Sequence, residues 1–315
     1  MTASQIVEPI YVIIPTRNRH AELRRCLDSL VAQTVTPELV IISDASDEGT
    51  SSTVCDHFTS AGVLRVTYAR SDTTGLTAQR NHGLSVLADA CGYVLFLDDD
   101  VVLHPDYIER LASILGTRPE VVGAAGVSTQ TAAFSPPCYY RAYLSLFLLD
   151  SVRRRGAVLA SGVNTAPPTH GPPVEADWLF GCAMYRTCLF QRQAFNESLT
   201  GYALFEDVEF SSRAKSFGSL VVDPSARLDH LRSAAGRLNA RAYARMSVVN
   251  RHRFARQHRP GIRAAMAYWW SVLGLVGLQS AQVVHDHGHL NREQWRGTCD
   301  GIADVVADRC GVEHP

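Results

Sequence analysis

The chain has 315 residues, 46% of them hydrophobic and 19% charged. That is enough apolar material for a sizeable core and excludes a disordered chain. The formal net charge is −1, which excludes a protein held to nucleic acid by its overall field.

The first hundred residues alternate between strand and helix patterns. Ile10 to Ile14 is a continuous apolar run, as a strand buried on both faces should be. It is too short for a signal peptide and stops at Pro15 and Arg17, so a start in the cytoplasm is expected. Leu23, Leu27 and Leu30 then recur at helical spacing up to about Gln33. Leu39 to Ile42 predicts a second buried strand, and Ser51 to Ala61 a polar helix. Leu64, Val66 and Tyr68 alternate as a third strand. Leu84, Leu87, Ala88 and Cys91 mark a helix, and Tyr93 to Leu97 a fourth strand. Strands alternating with helices imply a parallel α/β sheet with right-handed crossovers.

The middle of the chain, about 129–175, is less regular and holds Pro136-Pro137, Arg153-Arg154-Arg155, Pro167-Pro168 and Pro172-Pro173. It reads as a loop-rich insertion that could cover a substrate. Order returns at Trp178, and a short strand, Leu220 to Val222, leads to Asp229-His230. From Arg227 to Arg263 there are ten arginines and one acid, Asp229. Arg237, Arg241 and Arg245 lie four apart, on one helix face. Ala264 to Val284 carries no charge and is long enough to cross a bilayer, although Ser271, Gln279, Ser280 and Gln282 weaken that reading. A basic segment before an apolar helix suggests peripheral contact with an anionic membrane surface, at the cytoplasmic face of an inner membrane. The same helix could instead pack within the domain or form a homo-oligomer interface. The eight cysteines are scattered without a C-x-x-C pair. They read as buried free thiols in a reducing compartment, not as a disulfide framework or zinc site.

The strand ends share a polar character. The first runs into Thr16-Arg17-Asn18-Arg19, the second into Ser43-Asp44-Ala45-Ser46, the fourth into Asp98-Asp99-Asp100. Open α/β sheets bind ligands at the carboxyl ends of their strands. Three successive carboxylates repel one another unless a cation joins them, and a divalent ion with oxygen ligands suits them. The plain alternative is a run of helix-capping aspartates. A dinucleotide fold is excluded, because no glycine follows the first strand where a phosphate loop would need one.

Several motifs together resemble the family 2 glycosyltransferases. They are Ile13-Ile14-Pro15-Thr16-Arg17-Asn18-Arg19, Val40-Ile41-Ile42-Ser43-Asp44, Gln79-Arg80-Asn81-His82-Gly83, Leu97-Asp98-Asp99-Asp100, and Gly201-Tyr202 through Glu206-Asp207 to Arg213. The resemblance covers about residues 8–232. It implies an α/β GT-A fold, a mostly parallel Rossmann-like sheet flanked by helices, with a nucleotide-binding half at about 1–128 and an acceptor half at about 129–232. Residues 233–315 are expected to form a helical extension, basic and then apolar.

The resemblance also implies roles. Pro15, Thr16 and Arg17 line the nucleotide pocket, Asp44 contacts the base, and Arg80 approaches the base or the diphosphate. Asp98 lies near the ribose and Asp99 beside it in the DXD motif. Asp100 and His230 bind a divalent cation, Mg2+ or Mn2+. Asp207 is the catalytic base, with Glu206 beside it facing the acceptor, and Trp178 and Gly181 belong to the acceptor side. The activity implied is inverting transfer of one sugar from a UDP-, dTDP- or GDP-sugar to a carbohydrate or lipid-linked acceptor, in the biosynthesis of cell-surface polysaccharide, glycolipid or glycosylated natural products. The chain lacks a Gln-x-x-Arg-Trp motif after Glu206-Asp207, so a non-processive enzyme is expected, and Ser43-Asp44-Ala45-Ser46 departs from the commoner Asp-Asp-Gly-Ser. The bare chemistry agrees, since the transfer needs a base for the acceptor proton and a cation for the departing diphosphate. Repulsion within Glu206-Asp207 should raise one of the two pKa values. Two rival readings compete with it. Asp98-x-Asp100-x-Val102 satisfies the first motif of haloacid-dehalogenase phosphatases, but three strands precede it and the single lysine, Lys215, follows the acidic pair. A non-catalytic nucleotide-sugar-binding protein would have no reason to keep Asp100, Glu206 and Asp207.

Overall fold

The computed structural model describes residues 8–88, 90–130, 137–231, 238–286 and 288–309. They fall into two compact units, one within Met1–Ala133 and Pro167–Ala235, the other within Phe134–Ala166 and Gly236–Pro315. Residues 138–166, read from the sequence as part of a loop-rich insertion in the acceptor half, thus group with the C-terminal helices.

The first unit opens with β1 (Ile10–Thr16), α1 (His20–Val31), β2 (Leu39–Asp44), α2 (Thr50–Ser60), β3 (Val66–Arg70), α3 (Leu76–Leu87) and β4 (Tyr93–Phe96). These strands pair in parallel, in the order β3-β2-β1-β4. The sheet continues through β5 (Val101–Leu103), α4 (Tyr107–Thr117), β6 (Val121–Ser128), β7 (Val174–Ala176), β8 (Ala183–Arg186), α6 (Glu206–Ala214, with α5 assigned below) and β9 (Ser219–His230). Its second half is mixed, because β8 runs antiparallel to β4 and β6, β5 and β7 run antiparallel to β9, and only β6 and β9 are parallel. Apolar side chains fill both faces of the sheet. The alternation of strand and helix therefore signalled the parallel half, while the antiparallel returns carry no comparable sequence signature.

The polar segments sit where the parallel strands end. Thr16 is paired with Asp44 at the ends of β1 and β2, and the acidic triplet follows β4. α3 begins at Leu76, so Gln79 and Arg80 lie in its first turns, facing the strand ends, and it stops before Ala88, which takes φ 53°. Its close approach to the sheet requires Gly83, since a Cβ there would sit 2.5 Å from Ile13 Cγ2.

The second unit contains α5 (Cys138–Leu146), α7 (Ala240–His258), α8 (Ile262–His285) and α9 (His289–Arg309). Val248, Tyr268, Val272 and Val305 form its core. Asn239 caps α7 through Ala242 N, 2.8 Å from its side-chain oxygen. Arg241 bonds Asp300, and Arg245 forms a two-pronged pair with Asp304, all at 2.6–2.9 Å. The acids of α9 thus neutralise the two arginines expected to present an open basic face; Arg237 lies outside the described residues. Among the described residues no helix is long and apolar enough to cross a membrane. The cysteines depart from expectation in part. Cys26, Cys55 and Cys182 are buried, but Cys91, Cys138 and Cys188 are exposed, and Cys299 is partly so. All seven are free thiols, and Cys310 is outside the described residues.

Candidate active site

The acidic triplet divides into two jobs. Asp99 turns inward, accepting hydrogen bonds from Thr16 Oγ1 at 2.8 Å and Arg19 at 2.9 Å. Burial raises its pKa to about 6, against the pull of Arg19 and Thr16. Asp98 and Asp100 instead offer oxygens to a common point with His230, at the end of β9. The three ligand atoms lie within 4.8 Å of one another. His230 Nε2 is 3.0 Å from Asp100 Oδ1. Two carboxylates and an imidazole suit Mg2+ or Mn2+. Pairing of β5 with β9 places His230 beside Val101, one residue past the triplet. Asp98, expected at the ribose, is therefore also within reach of the cation site.

The polar residues expected at the nucleotide gather at the ends of β1 and β2. Asp44 is fully buried and accepts from Ser46 N at 2.8 Å and Tyr68 Oη at 3.0 Å, with the Ser46 hydroxyl also bonded to it. The two serines of the departed loop sequence thus have defined partners, Ser46 on Asp44 and Ser43 on His82 Nδ1 at 3.0 Å. Pro15 and Thr16 close β1, while Arg17 is half-exposed, 3.4 Å from Asp47. Gln79 locks the two strand ends by donating to the carbonyls of Thr16 and Ser43.

Arg80 is the largest departure from expectation. It is 1% exposed. Its guanidinium donates to Glu206 Oε1 at 2.6 Å, to Asp98 Oδ1 at 3.2 Å and to the Gly181 carbonyl at 3.2 Å. The rings of Phe96 and Phe195 flank it at 5.8 and 5.3 Å. Burial disfavours its charge, but Glu206 and Asp98 outweigh burial and raise its pKa. Expected near the base or diphosphate, Arg80 instead bridges the metal-side acid and the acid pair of α6. A Cβ on Gly181 would lie 2.7 Å from its guanidinium, so a side chain there would force Arg80 to shift. Asn81 holds the neighbouring loop through both the N–H and carbonyl of Phe195, each at 2.9 Å.

Glu206 and Asp207 form the first turn of α6, entered through Phe205, whose φ of 81° is left-handed. Such a conformation is costly for an aromatic residue and fixes the helix start. Burial, then repulsion from Glu206, raises the Asp207 pKa to about 7. Burial also raises Glu206, against the pull of Arg80. The helix N-terminus favours both carboxylates, yet desolvation wins. The pair lines a cavity with about 190 Å³ of empty space, its open mouth included, walled by Arg80, Phe96, Gly181, Phe195 and Phe210 among others. Trp178 is half-buried one residue before Leu179, which lines that cavity. Arg213 pairs with Glu209 through two bonds of 2.8 Å, as an i,i+4 neighbour should. Arg19, quoted in the motif without a role, anchors Asp99 and lies 3.7 Å from Asp100.

A parallel half-sheet continued by antiparallel returns, with helices on its faces, is a GT-A-type fold. Residues 11–165, just under half of the chain, match Glycosyl transferase family 2. It is similar to the glycosyltransferase GlyA of Streptococcus pneumoniae, 36% identical over 105 residues. That match spans 33% of this chain but only 14% of GlyA, and other curated relatives are matched over 27–51% of their length. Among solved structures, the fold is similar to the mannosyltransferase PcManGT of Pyrobaculum calidifontis in complex with GDP-Man and Mn2+. The TM-score is 0.59 and the identity 14%, over 98% of this chain and 89% of that one. S. aureus TarS 1-349 in complex with UDP-GlcNAc is also similar, with a TM-score of 0.53 and 16% identity over 95% and 81% of the two chains.

Proposed function

We propose that this protein transfers one sugar from a nucleotide-diphosphate sugar to an acceptor hydroxyl, inverting the anomeric carbon. The observation that carries the proposal is Arg80, which joins Asp98 of the cation cluster to Glu206 of the acid pair in one continuous site. Asp207 is assigned as the base, since a carboxylate with a pKa of about 7 can accept the acceptor's proton at neutral pH. Asp98, Asp100 and His230 are assigned to a divalent cation, Mg2+ or Mn2+, which when bound would offset the charge on the leaving diphosphate. Pro15, Thr16, Arg17, Asp44 and the Asp98-Asp99 pair are assigned to the donor, and Glu206, Trp178 and Gly181 to the acceptor side. Arg80 acts by holding Glu206 and Asp98 in place.

The donor is a UDP-, dTDP- or GDP-sugar. Two fold neighbours bind UDP-GlcNAc and GDP-Man, which supports a nucleotide-sugar without choosing among bases. The acceptor is assigned as a carbohydrate. A lipid-linked one would rest on membrane contact by the basic segment, which the pairing of Arg241 and Arg245 weakens.

A panel of nucleotide-sugars, each with Mn2+ or Mg2+, should reveal one whose slow hydrolysis depends on the cation. Asp207→Asn should retain binding of that donor and lose transfer. Near-wild-type turnover by Asp207→Asn would overturn the assignment of the base.

A further inference from the structure

Residues 193–196 form neither helix nor strand, so their backbone groups need partners other than a ladder. Two side chains supply them. Asn81 of α3 donates to the Phe195 carbonyl and accepts from its N–H, each at 2.9 Å, and also donates to Glu197 at 2.7 Å. Arg213 of α6 donates to the Ala194 carbonyl at 2.8 Å and to Gln193 at 3.3 Å. Both belong to motifs that resemble family 2, yet sugar transfer by Asp207 and a cation gives neither a task.

What the loop presents is the Phe195 ring. It is buried, stacks on Phe210 at 4.3 Å and meets Phe96 edge-on at 5.0 Å. The Arg80 guanidinium lies 5.3 Å from its centre. Phe96, Phe195 and Phe210 wall the same small cavity as Arg80, Glu206 and Asp207. The buried carboxylate pair is thus bordered by rings that exclude water.

We infer that Asn81 is a positioning residue for sugar transfer: by gripping the Phe195 backbone, it holds that ring as a shield that keeps water from Glu206 and Asp207. The inference rests on Asp207 being the base. Burial is the largest cause of its raised pKa, ahead of repulsion from Glu206. A base raised in this way can take the acceptor's proton at neutral pH. Water reaching the pair would stabilise the carboxylates and lower that value. The titratable and charged groups around the pair are Glu209 on α6, Arg80 on α3, Asp98 after β4 and Tyr185 on β8. Asn81 is uncharged and its replacement alters none of them, so any shift it causes comes through the loop it holds. Its task also differs from that of Arg80, the preceding residue, which bonds Glu206 directly.

Transfer by wild type, Asn81→Ala, Phe195→Ala and Phe195→Leu should be measured from about pH 5 to 9. The acid limb, near pH 7 in the wild type, should fall by at least ~1 unit in Asn81→Ala and Phe195→Ala. Phe195→Leu keeps an apolar cover and should move it less. The same shift can be read without activity. The gain in melting temperature from Asp207→Asn should grow with pH and level off near the folded pKa of about 7. In an Asn81→Ala background it should level off at least ~1 unit lower, at a smaller gain. Arg213 still tethers the loop in Asn81→Ala. Phe195→Ala leaves both tethers in place and carries the test if Asn81→Ala does not fold. A slower Asn81→Ala whose limb and levelling-off point are both unmoved would overturn the proposal. So would a limb that Phe195→Leu moves as far as Phe195→Ala does. If the wild type has no limb near pH 7, the assignment of Asp207 as base falls, and the melting series alone decides whether Asn81 keeps water from the pair.

Discussion

Replacing Arg80 by methionine removes the cation that reaches both Glu206 and Asp98 in the polar floor of the site. The guanidinium is 1% exposed, bonds three oxygens within 3.2 Å and lies between two aromatic rings. Methionine keeps most of the volume, so the cost is electrostatic. Breaking a buried pair from one side costs about 3–5 kcal/mol, and for a chain of this length each kcal/mol lowers Tm by about 1.5 °C. A drop of roughly 5–8 °C at pH 8 is expected. The sign of its pH dependence follows from Glu206. Burial already raises that carboxyl, and losing Arg80 raises it further. A carboxyl raised in the folded state stabilises below its unfolded pKa and loses that contribution as pH rises through the folded value. The deficit should therefore be larger at pH 8 than at pH 5, because Glu206 without Arg80 takes up its proton at a higher pH than it does in the wild type. Thermal melts of wild type, Arg80→Met and Arg80→Lys at the two pH values measure this, with lysine keeping the charge but not the fork. A deficit of a degree or two, or one equal at both pH values, would refute the role given to the bridge.

The pH profile of transfer should have an acid limb near pH 7, since Asp207 must be ionised to accept a proton; an acid limb near pH 4, typical of an unperturbed aspartate, would remove Asp207 from that role. Asp207→Asn should also be more stable than wild type at pH 8 and close to it at pH 4, because the raised Asp207 weakens the fold as pH rises through about 7. Asp100→Asn and His230→Ala should each weaken Mn2+ binding, read by calorimetry in the presence of UDP, by at least ~10-fold, while leaving the melting temperature of the cation-free protein within a few degrees. Unchanged affinity in both variants would rule out the cluster as the cation site.

The parallel half of the sheet could be read in the chain because its strands are apolar on both faces and each is followed by a helix of matching periodicity. The polar residues at the strand ends stood out for the same reason, as interruptions of an otherwise apolar pattern. Asp44, Asp100, His230 and Asp207 could be singled out by residue type and order. Arg80 could be singled out too, but its partners could not. Glu206 lies 126 residues away and Asp98 lies 18 away on another element, and no local signal specifies such a pairing. Gly181 was visible only as a glycine near Trp178; that it admits the Arg80 guanidinium appears only when the two segments meet. The basic face of α7 shows the converse. Arg241 and Arg245 looked like an open surface because Asp300 and Asp304 lie 59 residues further on.

By itself the sequence determined which residues could do chemistry and on which kind of element they sit, because buried strands, amphipathic helices and clustered carboxylates follow from local periodicity and residue type. Only the tertiary structure decided which charges neutralise which. It assigned Asp99 to Arg19 and Thr16, Asp98 and Asp100 to His230, Arg80 to the acid pair and the α7 arginines to α9. The physical reason is that the energy of a buried charge depends on its distance to partners and its separation from water, and folding sets both.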